Sequence, residues 1–99
     1  MPSTGPRWVL DGFLERLDTW IADESPPADL RLAVTAWILS RMDDPYEGVS
    51  REPDFENLWF GAVPGTETVA GTVVACSYWI TEATGAVRCD SFATLGLPI

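Results

Sequence analysis

The spacing of apolar residues changes once along this chain, near residue 57, and that change decides its fold class. Before it, Leu10, Phe13, Leu14, Leu17 and Ile21 recur at steps of three and four, and so do Leu30, Ala33, Val34, Trp37, Ile38 and Arg41. Such spacing lines one face of a helix. After it come short runs rich in β-branched and aromatic residues, divided by Pro64-Gly65 and by Thr81 to Gly85. Those runs read as strands joined by tight turns. In 99 residues there is room for one domain. The pattern predicts an α+β fold, with an N-terminal αα-hairpin packed on an antiparallel meander of three or four strands. The hairpin occupies about residues 7–42, a loop about 43–56, and the meander about 57–94.

Within that frame the boundaries follow from local chemistry. The first helix is expected from about Arg7 to Ala22, weakened at Gly12, and Asp23-Glu24-Ser25-Pro26-Pro27 ends it. The second is expected from about Pro27 to Met42, since proline suits a first turn and Asp29 suits the positive end of the helix dipole. Leu32 and Leu39 widen its apolar surface, placing it between the sheet and the first helix. Asp43-Asp44-Pro45 stops it. Tyr46 to Glu56 is polar and reads as a surface loop. The strands are expected at Asn57 to Val63, at Val69 to Ile80 with Gly71 as a bulge, and at Ala86 to Ala93. Leu95 to Ile99 forms an apolar tail expected to lie on the core.

Turn chemistry also sets a register. With Thr81 opposite Ala86, Tyr78 faces Cys89 and Cys76 faces Ser91 on the core side. Trp79 then faces Arg88, and Ser77 faces Asp90, on the exposed side.

Charge and residue inventory exclude several functions. The chain carries fifteen Asp and Glu against six basic residues, all arginine, for a net charge of −9. Residues 1–56 hold twelve acids and five arginines, net −7, whereas residues 57–99 are almost neutral. Without histidine or lysine, no Ser-His-Asp or Cys-His catalytic set, Schiff-base lysine or phosphate-loop lysine can form. A net negative charge also opposes direct nucleic-acid binding, which draws on counterion release at a positive face. Met1 to Pro6 has neither the basic nor the apolar segment of a signal peptide. The longest apolar run, Val69 to Ile80, is too short to span a bilayer. The expectation is a cytoplasmic protein with no membrane association.

Six residues stand out as candidates for partner binding. Trp79, Arg88 and Asp90 form a mixed aromatic and charged patch on the exposed sheet face, of the kind that dominates protein interfaces. Trp79 and Arg88 could stack as a cation–π pair. Asp43, Asp44 and Glu47 begin an acidic cluster that continues through Glu52, Asp54 and Glu56. Its spacing does not match a calcium-binding loop, and a solvated acidic surface is the simpler reading. No catalytic residue, metal site or cofactor is assigned. Cys76 and Cys89 read as reduced thiols of the core.

The order of elements resembles the RelE/ParE superfamily of small bacterial toxins. Met42-Asp43-Asp44-Pro45 looks like the family's helix end, and Asn57-Leu58-Trp59-Phe60-Gly61-Ala62-Val63 like its Leu-Trp-x-x-x-Val strand. Ala75-Cys76-Ser77-Tyr78-Trp79-Ile80-Thr81-Glu82 looks like its Arg-Val-x-Tyr-x-Ile strand, and Val87 to Phe92 like its closing strand. The resemblance covers roughly residues 8–95 and implies that fold. It also implies two possible toxin activities, ribosome-dependent messenger-RNA cleavage or gyrase inhibition. The family's ribonucleases use basic residues, including an arginine on the second meander strand; here Ala75 stands in its place. Ala93 to Leu97 supplies no acid, base or cation. The short N-terminal strand of the family is not evident before Trp8. The expected function is therefore protein binding, to a basic protein partner or to a second copy, without ribonuclease chemistry. The alternatives are a toxin of a toxin–antitoxin pair, or an acidic immunity or antitoxin-like inhibitor of a basic nuclease.

Overall fold

The computed structural model describes residues 7–96. Its elements are β1 (Val9–Asp11), α1 (Phe13–Glu24), α2 (Ala28–Ser40), β2 (Ser50–Arg51), β3 (Leu58–Ala62), β4 (Thr72–Thr81) and β5 (Ala86–Gly96). The strands form one five-stranded sheet in the order β1-β5-β4-β3-β2. The α+β class and the helix pair are as expected; the strand count and the sheet type are not. Two further strands flank the meander, and one of them, β1, runs parallel to β5.

β1 replaces what reads as the first turns of a helix. Val9, Leu10 and Asp11 pair with Ala86, Val87 and Arg88. Gly12 then turns the chain directly into α1 at φ +76°, a conformation glycine adopts without steric cost. Leu10 matches helical spacing only because it stands three residues before Phe13. The other edge lies in the stretch expected to be loop, where Ser50 and Arg51 pair with Phe60 and Trp59. That stretch is also less exposed than its polarity implies, because Pro45 is fully buried and Tyr46 and Val49 pack against the core.

Both helices lean on one face of the sheet. Phe13, Leu17 and Trp20 of α1 and Val34, Trp37 and Ile38 of α2 meet Val74, Cys76, Tyr78 and Ile80 of β4 and Val87 and Cys89 of β5. Leu14, Leu32 and Leu39 are exposed. α2 is thus not sandwiched between the sheet and α1, because its outer leucines face solvent. Ser25, with φ +45°, closes α1 by donating its N–H to Ile21 O at 2.9 Å, and Pro26-Pro27 leads into α2.

The β4–β5 hairpin keeps the expected register from Thr81↔Ala86 through Tyr78↔Cys89 and Trp79↔Arg88. Beyond these pairs it shifts by one residue. Ser77 pairs with Ser91 and Cys76 with Phe92, leaving Asp90 as the extra residue of a bulge. The expected pairings Ser77–Asp90 and Cys76–Ser91 are therefore corrected. A bulge places two residues opposite one and preserves the alternation of faces on either side. Gly71 is not a bulge; it lies in the turn before β4 at φ +83°. At that end the Thr66 hydroxyl, fully buried, donates to Val63 O at 2.7 Å and accepts from Val74 N at 3.0 Å. Of the expected apolar tail, Leu95 is exposed and residues 97–99 lie outside the described residues.

Candidate functional site

The sheet face opposite the helices carries side chains that the core does not use. On β4 these are Ala75, Ser77 and Trp79, alternating with the core residues Cys76, Tyr78 and Ile80. Strand pairing puts Leu58 and Phe60 of β3, Arg88, Ser91 and Ala93 of β5, and Val9 of β1 on the same face. Phe60 is 43% exposed and Val9 62%. Phe55, from the segment before β3, meets Trp79 edge-on with ring centroids 5.7 Å apart. Near the middle, Ser77 Oγ donates to Asp90 Oδ2 at 2.9 Å and lies 3.1 Å from Ser91 Oγ. The bulge brings this trio together by adding Asp90 beside the Ser77–Ser91 pair. The result is an aromatic and aliphatic surface with a small polar centre.

Trp79, Arg88 and Asp90 thus share one face, and Trp79 is directly opposite Arg88. The expected cation–π stack is not between them. Among the described residues that contact joins Arg41 to Trp37, with the guanidinium carbon 4.5 Å from the ring centroid. Trp79 instead uses its ring against Phe55.

Asp43, Asp44 and Glu47 lie apart from that patch, on the segment after α2. Asp43 pairs with Arg7 at 3.0 Å, both exposed. Asp44 Oδ1 accepts from the Tyr46 backbone N–H at 3.0 Å. Glu47 Oε1 is 3.8 Å from Arg41 Nη2. The six candidates therefore form two groups, not one site. Among the described residues no group of three or more His, Cys, Asp or Glu is placed to hold a metal ion.

Arg41 organises this second region. Its guanidinium, 2% exposed, donates to Glu47 O at 2.7 Å, Tyr78 Oη at 3.2 Å and Ser40 Oγ at 3.0 Å. The Tyr78 hydroxyl in turn donates to Pro45 O. Burial raises the Tyr78 pKa, against the opposing pull of Arg41. The hydrogen bonds of Arg41 serve the fold, and with Trp37, Ser40 and Glu47 it also lines a cavity of about 470 Å³.

Sequence spacing did not single out Phe55, Phe60, Tyr46 or Glu82. Phe60 is signalled by alternation with Trp59 once a strand is assumed there. Tyr46 and Glu82 come together only in three dimensions. The Tyr46 hydroxyl donates to Glu82 Oε1 at 2.9 Å. Trp8 and Trp59 each stand nearly perpendicular to the Tyr46 ring, at 5.9 and 5.0 Å. Burial first, then the Glu82 hydrogen bond, pushes the Tyr46 pKa up to about 12. The Cys76 thiol is also held protonated, mainly by burial and then by its neighbour Cys89, and both thiols are free and buried.

No family model matches this chain, and no curated protein sequence matches it. Its fold is similar to that of a solved structure of the E. coli toxin RelE, a double arginine-to-alanine mutant in the free state. The two superpose with a TM-score of 0.61 at 11% identity, over 92% of this chain and 83% of that one. The fold is RelE-like; at that identity the likeness concerns the fold alone.

Proposed function

We propose that this chain is a RelE-like protein that acts by binding another protein, in a toxin–antitoxin-type partnership, and that it lacks ribonuclease chemistry. One observation carries the reading. The sheet face left bare by the helices presents Val9, Phe55, Phe60 and Trp79 around the Ser77–Asp90–Ser91 centre. An apolar surface with aromatic anchors and a polar middle has the anatomy of a protein interface. The same face carries Ala75 at the position where the resemblance places a strand arginine, and the chain has no lysine or histidine to act on RNA. A net charge of −9 would steer a basic partner, raising its association rate more than its affinity.

Affinity capture from the source cell with the wild-type chain and with Phe60→Glu tests this. The expected result is a stoichiometric partner retained by the wild type and lost by the variant. Equal recovery with both would overturn the assignment to this face, and no partner would overturn the reading.

The fold likeness to a protein named as a toxin favours a second reading, toxin activity in this chain itself. Its test is separate: growth arrest on induced expression, with ribosome-dependent cleavage of messenger RNA or inhibition of gyrase.

A further inference from the structure

At one end of the bare sheet face, a cavity of about 550 Å³ opens between β1 and the β4–β5 turn. Arg7, Trp8, Val9 and residues 82–85 line it. Val9 belongs both to this cavity and to the bare face, whereas Trp8 and Glu82 meet Tyr46 on the helix side, so the cavity lies at the end of the sheet. The Trp8 N–H donates to Met42 O at 3.1 Å and the Val9 N–H to Gly85 O at 2.8 Å. Those bonds fix the floor.

We propose that this cavity receives a basic side chain, arginine before lysine, of the protein partner; the inference rests on the protein-binding reading above. Three features define the ligand. Glu82 is held in place by the Tyr46 hydroxyl on Oε1, and Oε2 has no protein donor among the described residues. Trp8 supplies indole surface, on which a planar guanidinium stacks better than an ammonium ion. Asp43 and Asp44 stand beside Arg7 and Tyr46, giving three carboxylates against the one guanidinium of Arg7. Arg7 lines the cavity too, but Asp43 already matches its charge at 3.0 Å. A carboxylate ligand would have to displace that pair and then face Glu82. A cation meets an anchored carboxylate beside an aromatic wall.

The test is NMR titration of the full-length chain with two capped tripeptides, acetyl-Gly-Arg-Gly-amide and acetyl-Gly-Glu-Gly-amide. Saturable shifts are expected at the Trp8 indole N–H and the Gly85 amide with the arginine peptide only. Glu82→Gln, an exposed change that leaves the fold intact, should weaken them at least tenfold. Glu67→Gln, an acid remote from the cavity, should leave them unchanged. Equal binding by Glu82→Gln, shifts spread over the whole acidic surface, or a preference for the glutamate peptide would each overturn the proposal. Its failure is distinguishable from that of the parent reading. A partner lost by Phe60→Glu but bound equally by Glu82→Gln removes the pocket and keeps the interface. Peptide shifts with no partner captured keep a cation site and remove the interface.

Discussion

Arg41 and Tyr78 are bonded to each other inside the protein, guanidinium to hydroxyl at 3.2 Å, with both side chains sealed from solvent. The pair ties the end of α2 to the middle of the sheet, and through the Tyr78 hydroxyl to Pro45 in the following loop. Arg41 also covers Trp37. Its four hydrogen bonds go to one carbonyl and two hydroxyls and none to a carboxylate, since the Glu47 carboxylate oxygen is 3.8 Å away.

Removing the Tyr78 hydroxyl therefore leaves a buried carbonyl and a buried N–H without partners. Tyr78→Phe should cost about 1–3 kcal/mol, measured by urea unfolding with an unchanged slope. Arg41→Lys should not restore the network, because an ammonium ion cannot span Ser40, Glu47 and Tyr78 as the planar fork does. Wild-type stability in both variants would remove the network from the account of the fold.

Gly61 sits where β3 passes closest to the segment before β2. A Cβ there would lie 2.8 Å from Val49 Cγ1 and 3.0 Å from Gly48 O. The carbonyl cannot move without shifting the edge strand. Gly61→Ala should destabilise by about 1–3 kcal/mol and loosen the Ser50 and Arg51 pairing, seen as faster amide exchange there. Gly71→Ala meets no neighbouring atom and should cost only its left-handed backbone term, about 1–2 kcal/mol.

The thiols should be inert in the folded chain. Cys76 and Cys89 are buried, which denies a reagent access to both, and burial raises the Cys76 pKa, which also withholds its thiolate. A disulfide-exchange reagent at pH 8 should label them at the rate of opening, accelerating through the unfolding transition. Rapid stoichiometric labelling of the native protein would contradict the packing.

Tyr46 sets an alkaline limit. Its pKa rises from about 10 unfolded to about 12 folded, so the folded state holds this proton more tightly. The stabilisation is fully present below pH 10 and is lost as pH climbs from about 10 to about 12. Comparing urea midpoints of wild type and Tyr46→Phe across that window should show a steeper fall for the wild type. Parallel curves would count against the Glu82 bond.

Local patterning located both helices, the three meander strands and the hairpin register near its turn. Thr81 to Gly85 fixes the pairing of Tyr78 with Cys89 because few residues intervene. It could not reveal the bulge, since Asp90 and Ser91 are both polar and either would suit the exposed face. β1 was hidden because its partner is β5, at the other end of the chain, and three residues have too little periodicity to oppose a helical reading. β2 has only two residues and takes its pairing from β3. At the candidate site, Trp79 opposite Arg88 was legible, but the Phe55 contact and the separation of Asp43, Asp44 and Glu47 from that patch were not.

By itself the sequence determined the fold class, the acidic balance and the residue types withheld from chemistry, because composition and short-range periodicity act locally. Tertiary structure decided which cation is buried, which face is bare and which acid is anchored. Arg41 lies on the apolar stripe of α2, yet the distant Tyr78 hydroxyl and the Glu47 carbonyl, with Ser40 Oγ beside it, make its burial tolerable. Glu82 is an ordinary turn residue until Tyr46 and Trp8 arrive from distant positions. Those outcomes rest on hydrogen bonds and packing between segments far apart in the chain, which no local pattern encodes.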